Sequence, residues 1–259
     1  MKATVISLVL MISLSGCKSS GPGPLARKLL GISSQAGIPA SGKLEEVLDL
    51  AEKRAQGDRI DALNRLIFEE LGFQREVEDD SIKFMLLPYV LEHKRGSCLG
   101  LAALYLVLAE RLKLEVRGVL VPRHFFLRHK GRNIELLRQG ESMPDEWYKK
   151  TWQVPEGVSA YMRPLTEPEL LAVFRFNLAN ARRMQGEYPQ AEELYSQVIA
   201  AFPDFAEAYA NLGLVFQLQK RFEPAMDAYL QAQSLQRGLP GLEQNIETLR
   251  TDMGLTSKR

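Results

Sequence analysis

The sequence predicts an α+β protein in which a helical part and a small antiparallel sheet precede an all-helical array. Apolar residues recur at helical spacing from Lys43 to about residue 112, and three short strand-like segments follow between residues 115 and 137. From residue 167 onward the chain is helical again and repeats itself every 34 residues. This order of patterns is typical of an α+β domain joined to a helical repeat array.

Four helices are predicted before the sheet. Gly72 ends the second of them, since glycine commonly follows a helix C-terminus. The predicted ranges are Leu44–Ala55, Arg59–Leu71, Ile82–His93 and Ser97–Leu112.

The sheet is predicted from three short segments. A turn at Lys130–Arg132 separates the last two, so that the chain returns antiparallel. The predicted strands cover Glu115–Val121, His124–Arg128 and Asn133–Leu137.

Large and small residues recur together in the carboxyl-terminal part, which is the tetratricopeptide pattern. We predict repeats over 172–205 and 206–239 and a capping helix over Leu239–Met253. Two repeats are fewer than such arrays need to fold alone, so the first one is expected to pack on the preceding module. The helices serve either as a concave peptide-binding surface or as a buttress for that module. The pairs that share the spacing are Leu178 and Leu212, Tyr188 and Phe222, Ala191 and Ala225, and Tyr195 and Tyr229.

The amino terminus has the pattern of a secretory signal, with Lys2 before a short apolar run. Leu14–Cys17 resembles the lipobox of bacterial lipoproteins, which implies a signal peptide over 1–16 and a lipidated Cys17. Residues 17–42 would form a tether between the lipid and a domain over 43–165, followed by the repeats over 166–259. The alternative is an ordinary signal peptide that contains a cysteine. On the lipoprotein interpretation the protein lies in the cell envelope, with the periplasmic face of the outer membrane favoured over the inner membrane.

Cys98 is then the only unmodified thiol in the chain. Ser97 is a good helix N-cap, and the first helical turn favours a thiolate through its free N–H groups and the helix dipole. His124 on a strand would be the base, and either Asn133 or Glu135, which share a strand face, would orient it. The alternative is that Cys98 is a small buried hydrophobe.

The two other histidines fit this site less well. His129 has the opposite strand parity to His124, and His93 lies near a helix end, where capping or solvation is expected. One cysteine and three scattered histidines show no zinc-type spacing, so we predict no metal and no cofactor. A net charge of +1, which includes Lys2, offers no basic excess for nucleic acid.

The chain resembles the SirB-type branch of the bacterial transglutaminase-like superfamily. The resemblance implies a papain-like core with Cys98 as nucleophile, His124 as base and Glu135 as the third residue, although many relatives of this branch lack the cysteine. Two positions depart from the pattern: Glu135 stands where aspartate is commoner, and Arg123 replaces a glycine before the histidine. The resemblance rests on residues 63–73, 96–101 and 118–126, and it extends through 133–135, 144–148 and 161–166 toward the repeats.

Together these patterns predict a lipid-anchored envelope protein with a cysteine-dependent acyl-transfer core of the amidase or peptidase type. The repeats would bind a protein or peptide partner, and Cys17 would hold the chain to the membrane. The alternative is a non-catalytic assembly lipoprotein in which the core is only a platform for the repeats.

Overall fold

The computed structural model describes residues 21–79 and 81–255, so the predicted signal peptide and Cys17 lie outside the described residues. The first part combines six helices with five short strands, and five helices follow in the described residues. None of the described helices is long and apolar enough to cross a membrane. The helices are α1 Pro24–Gln35, α2 Lys43–Arg54, α3 Arg59–Asn64, α4 Leu87–His93, α5 Cys98–Arg111, α6 Asp145–Thr151, α7 Glu167–Met184, α8 Tyr188–Ala201, α9 Ala206–Leu218, α10 Phe222–Leu235 and α11 Leu242–Asp252, and the strands are β1 Gln74–Arg75, β2 Arg95–Gly96, β3 Arg117–Val121, β4 His124–His129 and β5 Arg132–Ile134.

Helix α5 is the centre of the first part. It is apolar on every side, and its residues from Leu99 to Ala109 are all buried, as expected of a helix inside a core. It packs against α1, α2, α4 and β4. The α5 helix therefore fixes where its first residue, Cys98, lies relative to the sheet.

The main sheet is antiparallel with the order β3-β4-β5. Strand β3 pairs with β4 so that Val121 lies opposite His124, and β4 pairs with β5 so that Arg128 lies opposite Asn133. A second sheet has only two short strands, β1 and β2, which run parallel just before α5. The predicted mixture of a helical part, a small antiparallel sheet and a helical array is confirmed.

A connecting segment over residues 157–165, which we call the strap, joins the sheet to the repeats. On the sheet side, Met162 donates its N–H to the carbonyl of Leu120 at 3.0 Å. On the repeat side, the Tyr161 hydroxyl bonds Glu207 at the start of α9, and Arg163 makes two bonds to Glu169 in α7. The strap thus packs the repeats against the first part of the chain.

Helix α1 corrects the expectation of a tether through residue 42. Leu25, Leu29 and Ile32 repeat at helical spacing, and the structure buries them in the main core. Their apolar surface is removed from water only when the segment folds onto the domain.

Four further elements differ from the predicted ones. The strand predicted over Asn133–Leu137 ends at Ile134, and Glu135 caps a 3-10 turn over Leu136–Arg138. The helix predicted over Arg59–Leu71 is regular only to Asn64 and continues as a π-helical turn. The helix predicted over Ile82–His93 is divided into a 3-10 turn and α4, because Pro88 fits a first helical turn but not a helix interior. Helix α6 was not predicted.

Candidate active site

The start of helix α5 is fixed by three local contacts. The Ser97 side chain accepts a hydrogen bond from the Gly100 N–H at 3.2 Å, which is the predicted N-cap. Ser97 also donates its own N–H to the carbonyl of Phe84 at 2.9 Å. Gly100 lies so close to that carbonyl that a Cβ atom on it would be 2.0 Å from the oxygen. The sequence Gly-Ser-Cys-Leu-Gly therefore holds Cys98 in one place in the first turn.

Cys98 is half-buried and has no disulfide partner among the described residues. Within the part of the chain that the structure describes, the N–H groups of Cys98 and Leu99 have no hydrogen-bond acceptor. Such free N–H groups at a helix start stabilise negative charge on a neighbouring sulfur or on an oxyanion.

His124 is buried at the first position of β4, and Glu135 is buried just after β5. Their side chains meet, with Nε2 of His124 2.8 Å from Oε2 of Glu135. The other carboxylate oxygen of Glu135 accepts the N–H of Leu137 at 2.9 Å. Glu135 is thus held at both oxygens and orients the imidazole.

Cys98 lies close enough to the same imidazole to affect its pKa. Burial disfavours the charged imidazole, but the thiol and the Glu135 carboxylate outweigh it and raise the pKa of His124 to about 9. The raised pKa favours the protonated form of His124.

Two aromatic side chains cover His124. The Trp152 ring lies parallel to the imidazole with ring centroids 4.2 Å apart, and Tyr148 stacks on Phe126 at 3.7 Å. The indole N–H of Trp152 and the hydroxyl of Tyr148 are buried without a hydrogen-bond partner among the described residues. This aromatic cover keeps water away from the His124–Glu135 bond, which strengthens it.

Comparison with protein-family models decides what kind of domain holds this site. Residues 39–166 match the model described as "Transglutaminase-like superfamily", and residues 176–240 match the model described as "Tetratricopeptide repeat". The chain thus carries a transglutaminase-like domain followed by tetratricopeptide repeats. The predicted architecture is confirmed.

No curated protein matches the chain significantly. Solved structures with some likeness include one titled "Crystal structure of MamA", with 16% identity over 80% of this chain and 86% of that one, at a TM-score of 0.33. A menin structure has 12% identity over 88% of this chain and 69% of that one, at 0.45. BtubC from P. vanneervenii has 16% identity over 90% and 85%, at 0.34. Scores this low carry no argument about function.

Asn133, the other candidate third residue, lies elsewhere in the transglutaminase-like domain. Its amide nitrogen donates to the Met143 carbonyl at 2.8 Å and to Asp145 at 2.7 Å, and its oxygen accepts from Arg128 at 2.6 Å. Asp145 begins α6, the helix that brings Tyr148 and Trp152 over His124. The structure therefore brings together Cys98, His124 and Glu135, and places Asn133 in the support of α6.

We expect Asn133→Ala to lower the free energy of unfolding by about 2 kcal/mol, because buried bonds to charged groups are lost. In the folded variant, alkylation of Cys98 should slow by less than in Glu135→Ala, because Asn133 acts on the site only through the position of α6. Chemical denaturation and iodoacetamide labelling measure the two effects. A loss of Cys98 reactivity as large as that caused by Glu135→Ala would contradict this separation of roles.

The remaining histidines lie outside the site. His129 bonds the carbonyl of Glu115 at 2.7 Å, and His93, exposed at the end of α4, stacks on Tyr89. No group of three or more metal-ligating side chains occurs in the described ranges. Sequence reasoning missed Trp152, because a tryptophan in a connecting segment has no spacing that points to a histidine far along the chain.

Proposed function

We propose that the transglutaminase-like domain performs acyl transfer through a thioester on Cys98, acting on peptide or amide bonds by hydrolysis. The observation that carries this proposal is that a half-buried thiol, a buried imidazole and a buried carboxylate lie near one another at the start of α5. A cysteine next to an imidazolium and a helix N-terminus has the electrostatic setting of a nucleophilic thiolate.

The chemistry follows from these positions. The Cys98 sulfur attacks the carbonyl carbon of an amide, and the N–H groups of Cys98 and Leu99 stabilise the oxyanion. As the C–N bond breaks, the imidazolium of His124 gives its proton to the leaving amine. The neutral imidazole then takes a proton from water, whose oxygen attacks the thioester and releases the acid and the Cys98 thiolate, with His124 protonated as at the start. Glu135 holds the imidazole in the same orientation during both steps.

The proposed location is the envelope membrane, and the proposed partner is a protein. A lipid on Cys17 would hold the protein to the envelope membrane, since acyl chains on a cysteine give stable anchoring when two or more are present. The repeats would bring a protein substrate or partner to the site. Repeats of this class form extended surfaces that suit protein binding.

A non-catalytic assembly lipoprotein is the second candidate. The strap and the shared core support it, because Phe202, Phe205 and Ala208 of the repeats belong to the same hydrophobic cluster as helix α5. In that case the domain acts as a platform and Cys98 has no chemical role.

Alkylation of Cys98 by iodoacetamide, followed by mass spectrometry of the full chain, tests the enzymatic proposal. At pH 7 we expect His124→Gln to slow alkylation about tenfold, because the thiolate loses its imidazolium partner. His129→Gln is the matched control, since it removes a histidine outside the site, and it should leave the rate unchanged. With p-nitrophenyl acetate we expect a burst of one equivalent of p-nitrophenolate that is absent in Cys98→Ser.

Two results would overturn this proposal. One is a folded wild-type protein in which Cys98 resists iodoacetamide, and the other is an alkylation rate that His124→Gln does not change. A reactive thiol without an acyl burst would favour the platform function.

A further inference from the structure

We propose that Arg123 makes the Cys98 site select acyl donors that carry a negative charge close to the reacting carbonyl. This inference rests on the proposed function, and it assigns to that function a substrate class, acidic peptides. Arg123 has a suitable position, an unusual backbone conformation and an unpaired charge near the site.

Arg123 lies at the tip of the β3–β4 hairpin, directly before His124. Val121 and His124 are the last paired residues, so Pro122 and Arg123 alone form the tip. Because Cys98 begins α5 and interacts with His124 at the start of β4, the tip and the start of the helix lie at the same end of the domain. An acyl group on Cys98 would therefore lie within reach of the tip.

The backbone of Arg123 has a φ of 59°, a conformation that favours glycine. A non-glycine residue in this region costs about 1 kcal/mol or more, so glycine would make the turn more stable. The side chain is exposed and makes no ion pair or hydrogen bond within the described residues. Arg123 therefore presents a free guanidinium in a turn where glycine would fit better.

Lys94 repeats this arrangement on the other segment of the site. It has a φ of 54°, it is exposed, and it lies four residues before Cys98 without an ion-pair partner among the described residues. Four residues span at most about 14 Å, so Lys94 lies at the same end of α5 as Cys98. One unpaired cation, Lys94, thus precedes Cys98, and another, Arg123, precedes His124.

No carboxylate among the described residues forms an ion pair with Arg123 or Lys94. Glu135 is bound to His124 and to the Leu137 N–H, and Glu76 is paired with Arg95 at 2.8 Å. The start of α5 adds the positive end of a helix dipole. A positive region whose neighbouring carboxylates are already paired attracts anions. The guanidinium group of an arginine binds a carboxylate through two parallel hydrogen bonds.

Two thiol reagents of similar size and different charge test the selection without a known substrate. The full chain is alkylated with iodoacetate, which is anionic, and with iodoacetamide, which is neutral, and the ratio of the two rates at Cys98 is measured at low salt. Relative to free N-acetylcysteine amide, we expect a wild-type ratio shifted toward iodoacetate. Arg123→Gln and Arg123→Gly should each lower the ratio about two- to fourfold, and Arg123→Lys should preserve most of it.

Lys113→Gln is the matched control. Lys113 is also exposed, has a φ of 56° and makes no ion pair within the described residues, but it follows the opposite end of α5, about 20 Å away. It should leave the ratio unchanged, and 1 M salt should abolish the difference between wild type and Arg123→Gln.

The inference fails if Arg123→Gln and Arg123→Gly leave the ratio unchanged, or if Lys113→Gln lowers it equally. This failure is distinct from that of the proposed function. The latter depends on the effect of His124→Gln on the iodoacetamide rate alone, whereas the role of Arg123 depends on the ratio between the two reagents.

Discussion

Replacing Gly100 with alanine is expected to lower the free energy of unfolding by about 3 kcal/mol. The new Cβ atom would lie 2.0 Å from the carbonyl oxygen of Phe84 and 3.0 Å from its carbonyl carbon. Both are backbone atoms, so no side-chain rotation relieves the contact, and the start of α5 must move by at least about 1 Å. In an unobstructed helix the same change would stabilise the protein, because alanine has the higher helix propensity.

The displacement should also reduce the reactivity of Cys98. It would weaken the bond between the Ser97 N–H and the Phe84 carbonyl and shift the thiol away from the imidazole. Urea denaturation measures the first effect and iodoacetamide labelling of the folded fraction measures the second. Gly31→Ala in α1 is the matched control: nothing lies within 4 Å of its new Cβ, so it should raise stability by up to about 1 kcal/mol. Equal stability of the two variants would contradict the packing described here.

Changing Glu135 to glutamine is expected to lower the pKa of His124 from about 9 toward its ordinary value near 6.5. Glutamine keeps the size and one acceptor oxygen but removes the negative charge that stabilises the imidazolium. The loss of an opposite charge at 2.8 Å from the ring nitrogen shifts a pKa by about 1 to 3 units. NMR titration of the His124 ring nitrogens measures the change directly.

The same shift has a consequence for stability against pH. Because the folded-state pKa of His124 is raised, the stability contributed by its protonation is complete below about pH 6.5 and is lost as the pH rises through about 9. In Glu135→Gln this contribution should be smaller and should disappear at a lower pH. Glu141→Gln, which removes an exposed carboxylate paired with Arg138, should leave the pKa of His124 near 9. An unchanged His124 pKa in Glu135→Gln would show that the carboxylate does not hold the imidazolium.

The parts of the site that depend on local sequence could be predicted. Ser97 as an N-cap and Cys98 in the first turn follow from short-range rules, and the structure has both. The shared strand parity of Asn133 and Glu135 left two candidates, which only the strand register separates. The register pairs Asn133 with Arg128, four residues and about 14 Å along β4 from His124. The sequence does not fix the pairing of β4 with β5, because the turn between them could have several lengths.

Features that depend on long-range packing could not be predicted. Helix α1 is short, and its apolar stripe stabilises it only after it meets the domain. Trp152 covers His124 because Asn133 and Arg128 hold the beginning of α6, and no spacing in the sequence encodes that network. The left-handed conformation of Arg123 contradicts its intrinsic preference, so it is visible only in the folded chain.

The strap links the stability of the transglutaminase-like domain to that of the repeats. Leu170 to Phe174 of α7 are buried in the same cluster as α5 and the sheet, and Tyr161 of the strap reaches both Glu207 and Gln236. A protein shortened at residue 166 would expose this apolar surface to water, leave the Tyr161 hydroxyl without its partners and remove the Glu169 partner of Arg163. The segment that unfolds cooperatively is therefore longer than residues 39–166, which match the transglutaminase-like family. The repeats contribute to the stability of the domain that contains Cys98.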